Sequence, residues 1–438
     1  MNVGIIGLGY VGLTLAVVAS LKKFKVYAVE RSNHIKESLQ RKVAHFYEPG
    51  LNPLLANHLN KNLFVVDKFE IDHNINVFII TVGTPLLGET KKPNLDYIQS
   101  AMDQLKGVYT GDELIILRST ISVGTTASVV LPFLSKLCGK KPEDLLVAFC
   151  PERTIEGKAV RELQELPQII GGNNKKSLAL AENFFREITP TIIKVDSLEA
   201  AELIKLFNNT YRDIHFALGN VFNEIAQSFG INGVKLIRAA NVGYERSSIP
   251  VPGFVGGPCL EKDSYILTHN MKDSDGKRFV INARKYNESL EMKIVQWVIK
   301  VCEQHRLPKR VCVSGLAFKG IPDTSDLRGS NSVNICRGLK ELDYDMDLHD
   351  FFAIKEEVNA LGLGSFTEDI YEASEGHSVL LILNNNVRYS RMDVVQLIRG
   401  MKANALILDA WGVIDYFENV DSHQVEVFTL GTIEIEHT

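Results

Sequence analysis

The sequence predicts an α/β protein: two sheet-containing lobes arranged around a helical centre. Three observations predict it. Apolar runs of strand length alternate with helical stretches from residue 3 to about residue 195, which implies a parallel sheet covered on both faces. Leu198–Phe229 then repeats Ala, Leu, Ile and Phe at helical spacing without a proline, the pattern of one long helix. After Pro308 the α/β alternation restarts. The expected divisions are 1–195, 196–302 and 303–438. A length of 438 residues suits two to four domains of roughly 100–200 residues each.

The first lobe opens with a strand, Val3–Ile6, and the turn Gly7-Leu8-Gly9-Tyr10-Val11-Gly12. A helix, Leu13–Leu21, and a second strand, Lys25–Val29, follow, and the strand ends at Glu30. The uncharged run Val3–Leu21 approaches the length of a membrane span. No basic residue precedes it and it carries Gly4, Gly7, Gly9 and Gly12, which argues against both a span and a signal peptide. The spacing GxGxxG between strand and helix is that of a Rossmann-type turn. Its glycines permit a tight bend and close approach of a pyrophosphate, and the helix N-terminus offers free N–H groups. Glu30 lies where an acid about 20 residues beyond the motif hydrogen-bonds a ribose. Its charge repels a 2′-phosphate, so NAD is expected over NADP, although Arg31 beside it would tolerate one. The competing reading is a glycine-rich turn with a surface glutamate.

Three later strands end at candidate functional segments. Val77–Val82 leads to Gly83-Thr84-Pro85 and a helix, Asp96–Leu105. Glu113–Leu117 leads to Arg118-Ser119-Thr120, and Leu145–Phe149 to Cys150-Pro151-Glu152. Glu152 and Glu156 follow a strand end, where open α/β sheets place ligands; alone they also read as surface acids.

On the long helix, Lys205, Asn209 and Arg212 recur at i, i+4 and i+7 and share a face. That is either a solvated polar stripe or a set with a specific partner, since mid-helix Asn has poor propensity. Helices are also expected at Val234–Ala240 and Gly276–Cys302. The segment from Pro250 to Pro258 is too rich in Gly and Pro for regular structure. Cys259 follows it, with Lys262 three residues on: an activated nucleophile or a small buried hydrophobe. Cys138, Cys150, Cys302, Cys312 and Cys336 read as structural. In the last lobe Arg310–Gly315, Met346–His349, Ser378–Leu383 and Ala405–Leu408 are strand-like, without a second GxGxxG.

Composition narrows the function classes. With 45% hydrophobic and 23% charged residues the chain reads as globular. A net charge of -5 provides no basic excess for a nucleic-acid backbone. Six cysteines, none spaced CxxC, indicate reduced thiols and a cytoplasmic protein. No metal-ligand cluster stands out, and no membrane insertion is expected.

Several motifs coincide in order. They are Gly-Leu-Gly-Tyr-Val-Gly (7–12), Tyr-Glu-Pro-Gly-Leu (47–51), Val-Gly-Thr-Pro (82–85), Ser-Thr (119–120), Pro-Glu-Arg (151–153) and Lys-Leu-Phe-Asn-Asn (205–209). Gly-Gly-Pro-Cys-Leu-Glu-Lys-Asp (256–263), Phe-Lys (318–319) and Ser-Asp-Leu-Arg (325–328) complete the set. Together they resemble the nucleotide-sugar 6-dehydrogenase family, the UDP-glucose/GDP-mannose dehydrogenases, from Gly7 to about Trp411.

The resemblance implies an NAD-binding domain, a central helical dimerisation region and a C-terminal Rossmann-like domain holding the nucleotide sugar, in a homodimer. It implies a four-electron oxidation of a sugar C6 alcohol to a carboxylate with two NAD. Cys259 would form a thiohemiacetal and then a thioester, which water hydrolyses. Lys205 and Asn209 would stabilise the oxyanion, Glu152 would act as base with Glu156 nearby, and Asp263 would hold a water or Lys205. Thr120 would orient water or nicotinamide. The implied cofactor contacts are Gly7, Gly9, Tyr10, Val11, Gly12, Glu30, Arg31, Val82, Thr84, Thr120 and Lys262. The implied substrate contacts are Glu152, Arg153, Lys205, Asn209, Arg212, Arg246, Phe254, Gly256, Gly257, Phe318, Lys319 and Arg328. Gly256 and Gly257 would let backbone approach the sugar, Lys319 and Arg328 would bind diphosphate or the partner strand of the site, and Arg246 would reach into a neighbouring subunit.

Arg153 and Arg212 resemble the N-acetylhexosamine members rather than the UDP-glucose members, and an arginine fork suits an acetamido carbonyl. The expected substrate is a UDP-N-acetylhexosamine, UDP-N-acetylmannosamine first, used in capsule or other polysaccharide synthesis. Pro258 and Lys262-Asp263 are closer to the UDP-glucose type, and Trp411 replaces a basic residue common in the family. UDP-glucose oxidation, a two-electron hydroxyacid dehydrogenase and a non-catalytic dinucleotide sensor are the alternatives.

Overall fold

Alternate residues of each early strand face opposite sides of one sheet, and both sides are apolar. Ile5, Ala28, Ile79 and Ile116 enter one core, and Ile6, Val29, Ile80 and Leu117 the other. A sheet buried on both faces is what such near-continuous apolar strands require. The computed structural model describes residues 1–414 and 425–433. The chain divides into two compact units, Met1–Asn209 with Lys262–Asp273, and Thr210–Glu261 with Ser274–Thr438. The helical stretch expected between the two lobes is shared between these units.

The first unit runs β1 (Asn2–Ile6), α1 (Tyr10–Leu21), β2 (Lys25–Val29), α2 (Asn33–Gln40), α3 (Leu51–His58), β3 (Leu63–Val66) and β4 (Val77–Ile80). A short hairpin, β5 (Leu86–Leu87) and β6 (Lys92–Pro93), precedes α4 (Asp96–Asp103), β7 (Leu114–Leu117), α5 (Leu131–Cys138) and β8 (Val147–Phe149). Then come α6 (Ala159–Glu165), β9 (Gln168–Gly172), α7 (Lys175–Arg186), β10 (Ile192–Val195) and the start of α8 (Leu198–Ser228). The strand order is β10-β9-β8-β7-β4-β1-β2-β3. The pairing is parallel except between β8 and β9, which is antiparallel, so the sheet is mixed rather than wholly parallel. Residues 150–158 fold back as a loop, pinned where Ile155 N donates to Glu162 at 2.8 Å. The chain therefore enters β9 from the end at which it left β8, and no crossover is needed. The uncharged N-terminal run is explained by α1, buried from Gly12 to Ser20. Among the described residues no helix is long and apolar enough to cross a membrane.

The second unit takes the rest of α8, then α9 (Gly233–Asn241), the start of α10 (Gly257–Thr268) and α11 (Asp275–Gln304). Its sheet is built from β11 (Arg310–Ser314), α12 (Asn331–Glu341), β12 (Asp345–His349), α13 (Lys355–Ala360), β13 (Ser365–Thr367) and α14 (Ile370–Ser374). It continues with β14 (Val379–Ile382), α15 (Val394–Gly400), β15 (Leu406–Asp409) and β16 (Glu426–Phe428). The order β13-β12-β11-β14-β15-β16, all parallel, is the doubly wound arrangement with its reversal beside β11. One expectation is corrected here. The segment up to Pro258 is not irregular to its end, because α10 begins at Gly257. Gly257 has φ +88, and proline fits a first helical turn, where its missing N–H is not needed.

Candidate active site

The three glycines of the first turn meet three different surroundings. A Cβ on Gly7, at φ +92, would lie 3.1 Å from Val82, and one on Gly12 would lie 1.9 Å from the Gly7 carbonyl. At Gly9 nothing stands within 4 Å. Gly7 makes the bend, Gly12 packs helix on strand, and Gly9 leaves open space where a pyrophosphate approaches. Glu30 braces the turn by accepting from Leu8 N at 2.7 Å and Ser32 N at 2.8 Å. Arg31 stacks on Tyr97 at 4.1 Å. Val11 lies in the first turn of α1 and is half-buried. These residues fit NAD: an open glycine, free helix N–H groups and an acid at the end of β2. The Tyr10 hydroxyl donates to Glu48, whose carboxylate also accepts from Gly157 N at 2.7 Å. Burial first, then Glu48, push the Tyr10 phenol well above its ordinary range, so it stays a donor.

The ends of β4, β7 and β8 are cross-braced. The Thr84 hydroxyl donates to the Thr120 carbonyl, and Val82 and Thr120 are half-buried beside it. Glu152 is buried, and both its oxygens are engaged. Oε2 accepts from Arg118 Nε at 2.9 Å and Nη2 at 2.5 Å, and Oε1 from the backbone N–H groups of Arg153 and Thr154 at 2.7 and 2.8 Å. Burial works to raise the Glu152 carboxyl, but Arg118, those N–H groups and the charge of Lys205 outweigh it and hold it low. Arg118 also donates to Gln168 at 2.8 Å. Arg153 spends its guanidinium on the Pro167 carbonyl.

Along α8 the buried stripe includes Glu202, Lys205, Asn209 and Asp213. The expected set is corrected at its third member: Arg212 is exposed, because at 100° per residue the inward face passes to Asp213. Lys205 makes no hydrogen bond or ion pair with any described residue. Asn209 donates to Asp263 Oδ2 at 2.6 Å, and Lys262 reaches Asp263 Oδ1 at 3.0 Å. Asp263, fully buried, thus holds Asn209 and Lys262, and the contact expected with Lys205 is not made. Cys259 is exposed, as no other cysteine is; it sits in the first turn of α10, one turn before Asp263.

In the sequence Arg118 and Glu48 stand within quoted segments without a role of their own, and Gln168 and Glu202 do not stand out. Glu202 accepts from Gly124 N at 2.6 Å and from Thr126 N and Oγ1 at 3.0 and 2.5 Å, clasping the loop beyond Thr120. Two signals were available: Arg118 is a charge abutting an apolar strand, and Glu202 is an acid on the apolar stripe of α8.

In the second unit the glycine segment packs against protein. A Cβ on Gly256 would meet the Gly329 carbonyl and Asn331 at 2.4 Å, and one on Gly257 the Phe318 ring at 2.4 Å. Close packing by the protein is thus by itself a reason for glycine at both positions. Phe254 is buried. Lys319 lies over Phe318 at 5.5 Å. Arg328 is exposed and grips Asp326 through Nε at 2.9 Å and Nη2 at 2.6 Å. Arg246 is exposed and stacks on Tyr244 at 4.9 Å. Trp411 covers Gly253, 2.2 Å from where its Cβ would lie, and donates to the Leu383 carbonyl at 3.0 Å.

Known proteins resemble the chain along its length. Residues 1–189 match the NAD binding domain of the UDP-glucose/GDP-mannose dehydrogenase family, 199–289 its central domain and 312–416 its UDP binding domain. A UDP-N-acetyl-D-mannosamine dehydrogenase of Methanocaldococcus jannaschii is 30% identical over 98% of this chain and 96% of its own. One from Pyrococcus horikoshii is 34% identical over 75% and 78%. The solved structure of a UDP-D-ManNAc dehydrogenase from Pyrococcus horikoshii superposes with TM-score 0.85 at 28% identity, covering 99% of both chains. A UDP-glucose dehydrogenase from Pyrobaculum islandicum shares the fold, with TM-score 0.83 at 22% identity over 98% and 97%. The chain belongs to the UDP-glucose/GDP-mannose dehydrogenase family and is an NAD-dependent nucleotide-sugar dehydrogenase.

Proposed function

We propose that this member of the family oxidises the C6 alcohol of a UDP-N-acetylhexosamine, UDP-N-acetyl-D-mannosamine first, to the uronate through a covalent adduct on Cys259. The observation that carries the reading is the buried Asn209–Asp263 pair, joined by half-buried Lys262, with buried Lys205 on the same stripe of α8, since a protein that only binds a dinucleotide has no use for it. For the sugar, the support is that full-length relatives carry this name, and that Arg212 remains without a described partner while Arg153 is committed to Pro167. Gly9, Gly12, Glu30 and Thr84 would hold NAD, which supplies the hydride acceptor for both oxidations. The division into 1–195, 196–302 and 303–438 and a cytoplasmic location belong to the same proposal; none of the six cysteines is in a disulfide.

The alcohol gives up a hydride and a proton to become an aldehyde. The Cys259 sulfur adds to the aldehyde carbon, and the new oxyanion takes a proton to give the thiohemiacetal. Loss of a second hydride and that proton leaves the thioester. Water cleaves the C–S bond, giving carboxylate and free thiol. Lys205 and Asn209 would donate to the oxyanions, and Asp263 keeps the Asn209 amide turned for that purpose. Glu152, ionised at neutral pH, would be the base for the hydrolytic water, weakened by the Arg118 clamp that ionises it. The test is NADH release with UDP-N-acetylmannosamine, UDP-N-acetylglucosamine and UDP-glucose. Two NADH per N-acetylhexosamine are expected, with no uronate from Cys259→Ser while NAD still binds. Turnover of UDP-glucose alone overturns the sugar, and full activity of Cys259→Ser overturns the adduct.

A homodimer through α8 is part of this reading. Tyr211, Leu218, Phe222, Ile225 and Phe229 are 66%, 44%, 36%, 50% and 76% exposed and recur three, four or seven residues apart. That is the seam by which a helix packs on its own copy. Phe222→Asp with Ile225→Asp should sediment as a monomer; a monomeric wild type at micromolar concentration overturns it.

A further inference from the structure

Arg284 is the largest fully buried side chain among the described residues, and the chemistry above does not use it. It stands on α11 and distributes its guanidinium among three acceptors. Nη1 donates to Asp213 Oδ1 at 2.9 Å and to the Leu260 carbonyl at 3.2 Å, and Nη2 donates to the Val255 carbonyl at 2.9 Å. Its Nε faces Glu288 at 3.6 Å. Val255 and Leu260 bracket the entry into α10, with Cys259 between them. One planar fork thus ties the backbone before the cysteine to the backbone just after it.

A second clasp extends the first. Asn287, one turn along α11, donates to Asp213 Oδ1 and to the Asp213 carbonyl, both at 2.9 Å. Asn220, two turns beyond Asp213 on α8, donates to Asn287 Oδ1 at 3.1 Å. The Asn220 amide also grips Gly253 from both sides, donating to its carbonyl at 3.0 Å and accepting from its N–H at 2.8 Å. Asp213, Asn220, Arg284 and Asn287 are all at most 3% exposed. A buried arginine and a run of buried amides are costly to desolvate and are retained where their geometry matters.

The geometry points to Arg284 as the positioning residue of the nucleophile, acting with Asn220 to fix the 253–260 backbone so that the Cys259 thiol is presented from the first turn of α10. This rests on Cys259 being the nucleophile. A lysine cannot replace the arginine, because a point charge does not span two carbonyls and a carboxylate in one plane. Gly253, Gly256 and Gly257 leave the segment little stiffness at the entry to α10, so the order of the turn must come from what grips it.

The test reads the thiol directly. Cys259 is the exposed one of the six cysteines, so its alkylation by iodoacetamide is followed by mass spectrometry of its peptide, without substrate, across pH 6 to 10. Arg284→Lys should alkylate at least fivefold more slowly at neutral pH, with the midpoint of the pH–rate profile displaced upward. Its kcat for uronate should fall at least tenfold with KM within twofold. Lys293→Met is the comparator: it removes the 2.7 Å bond to Glu224 from the same helix and should alkylate as wild type. If Arg284→Lys does not fold, Asn220→Ala decides, with a threefold or larger slowing expected. Wild-type alkylation in a folded Arg284→Lys, or in Asn220→Ala when that variant decides, overturns the proposal, as does an equal slowing in Lys293→Met. If the wild type oxidises no UDP-sugar but the alkylation differences persist, the positioning stands and the functional reading fails.

Discussion

The two sheets use the same topological position in opposite ways. At the end of β1 the chain turns over Gly7, Gly9 and Gly12, and the space beside Gly9 is open. The acid ending β2, Glu30, braces this turn through only two backbone N–H groups. At the end of β11 the chain turns over Gly315, at φ +89, where a Cβ would strike Asn384 at 2.7 Å. The matching acid after β12, Asp350, is buried and accepts from the N–H groups of Ala317, Phe352 and Ala353 and from Asn384. Burial raises its carboxyl in spite of those bonds. The first turn keeps its donors for a ligand, whereas the second satisfies them internally. A doubly wound sheet offers a crevice at its reversal, but whether a phosphate enters there depends on which side chain already fills it.

Substitutions matched across the two turns test that contrast. The largest effect is expected from Gly12→Ala, whose Cβ would sit 1.9 Å from the Gly7 carbonyl. Urea unfolding should show a loss of about 4 kcal/mol, with NAD binding abolished; a native-like titration would show that the turn is not packed as described.

Next is acid. Burial pushes His349, at the end of β12, from 6.5 down to about 4. Between those values the unfolded chain binds the extra proton. Its contribution is therefore complete above about pH 6.5 and is lost as pH falls toward 4, on the order of 3 kcal/mol. His349→Gln should flatten that limb of the stability–pH curve, and an unchanged slope would assign it elsewhere.

Asp350→Asn should cost about 2 kcal/mol and leave NAD affinity alone. Glu30→Gln should do the reverse, weakening NAD about tenfold, worth about 1.4 kcal/mol, narrowing the preference over NADP and hardly moving the melting temperature. If both variants shift stability equally, the contrast between the turns fails. The smallest change in stability is expected at Gly9→Ala, below about 0.5 kcal/mol because nothing lies near its Cβ. Its NAD affinity should nonetheless drop, as read by calorimetry.

Legibility in the sequence followed the range of the interactions. Strands, α1, the length of α8 and the glycine turn were readable because periodicity and the conformational limits of Gly and Pro act over a few residues. The antiparallel β9 was not, since its direction is set by the 150–158 loop pinned through Glu162. Spacing groups Arg212 with Lys205 and Asn209, while packing turns Asp213 inward and Arg212 to solvent. The motif residues Gly256 and Gly257 were noticed, but Phe318, Gly329 and Asn331, the groups that demand glycine there, lie more than 60 residues away.

The α/β class, the dinucleotide turn with its acid and the one cysteine worth suspecting are each written in adjacent residues. That Arg118 clamps Glu152, that Asp263 holds Asn209 and Lys262, and that Arg284 grips both sides of Cys259 emerges only once the chain is folded. Those pairings join residues far apart in the chain. Their strength comes from burial, which no local pattern specifies.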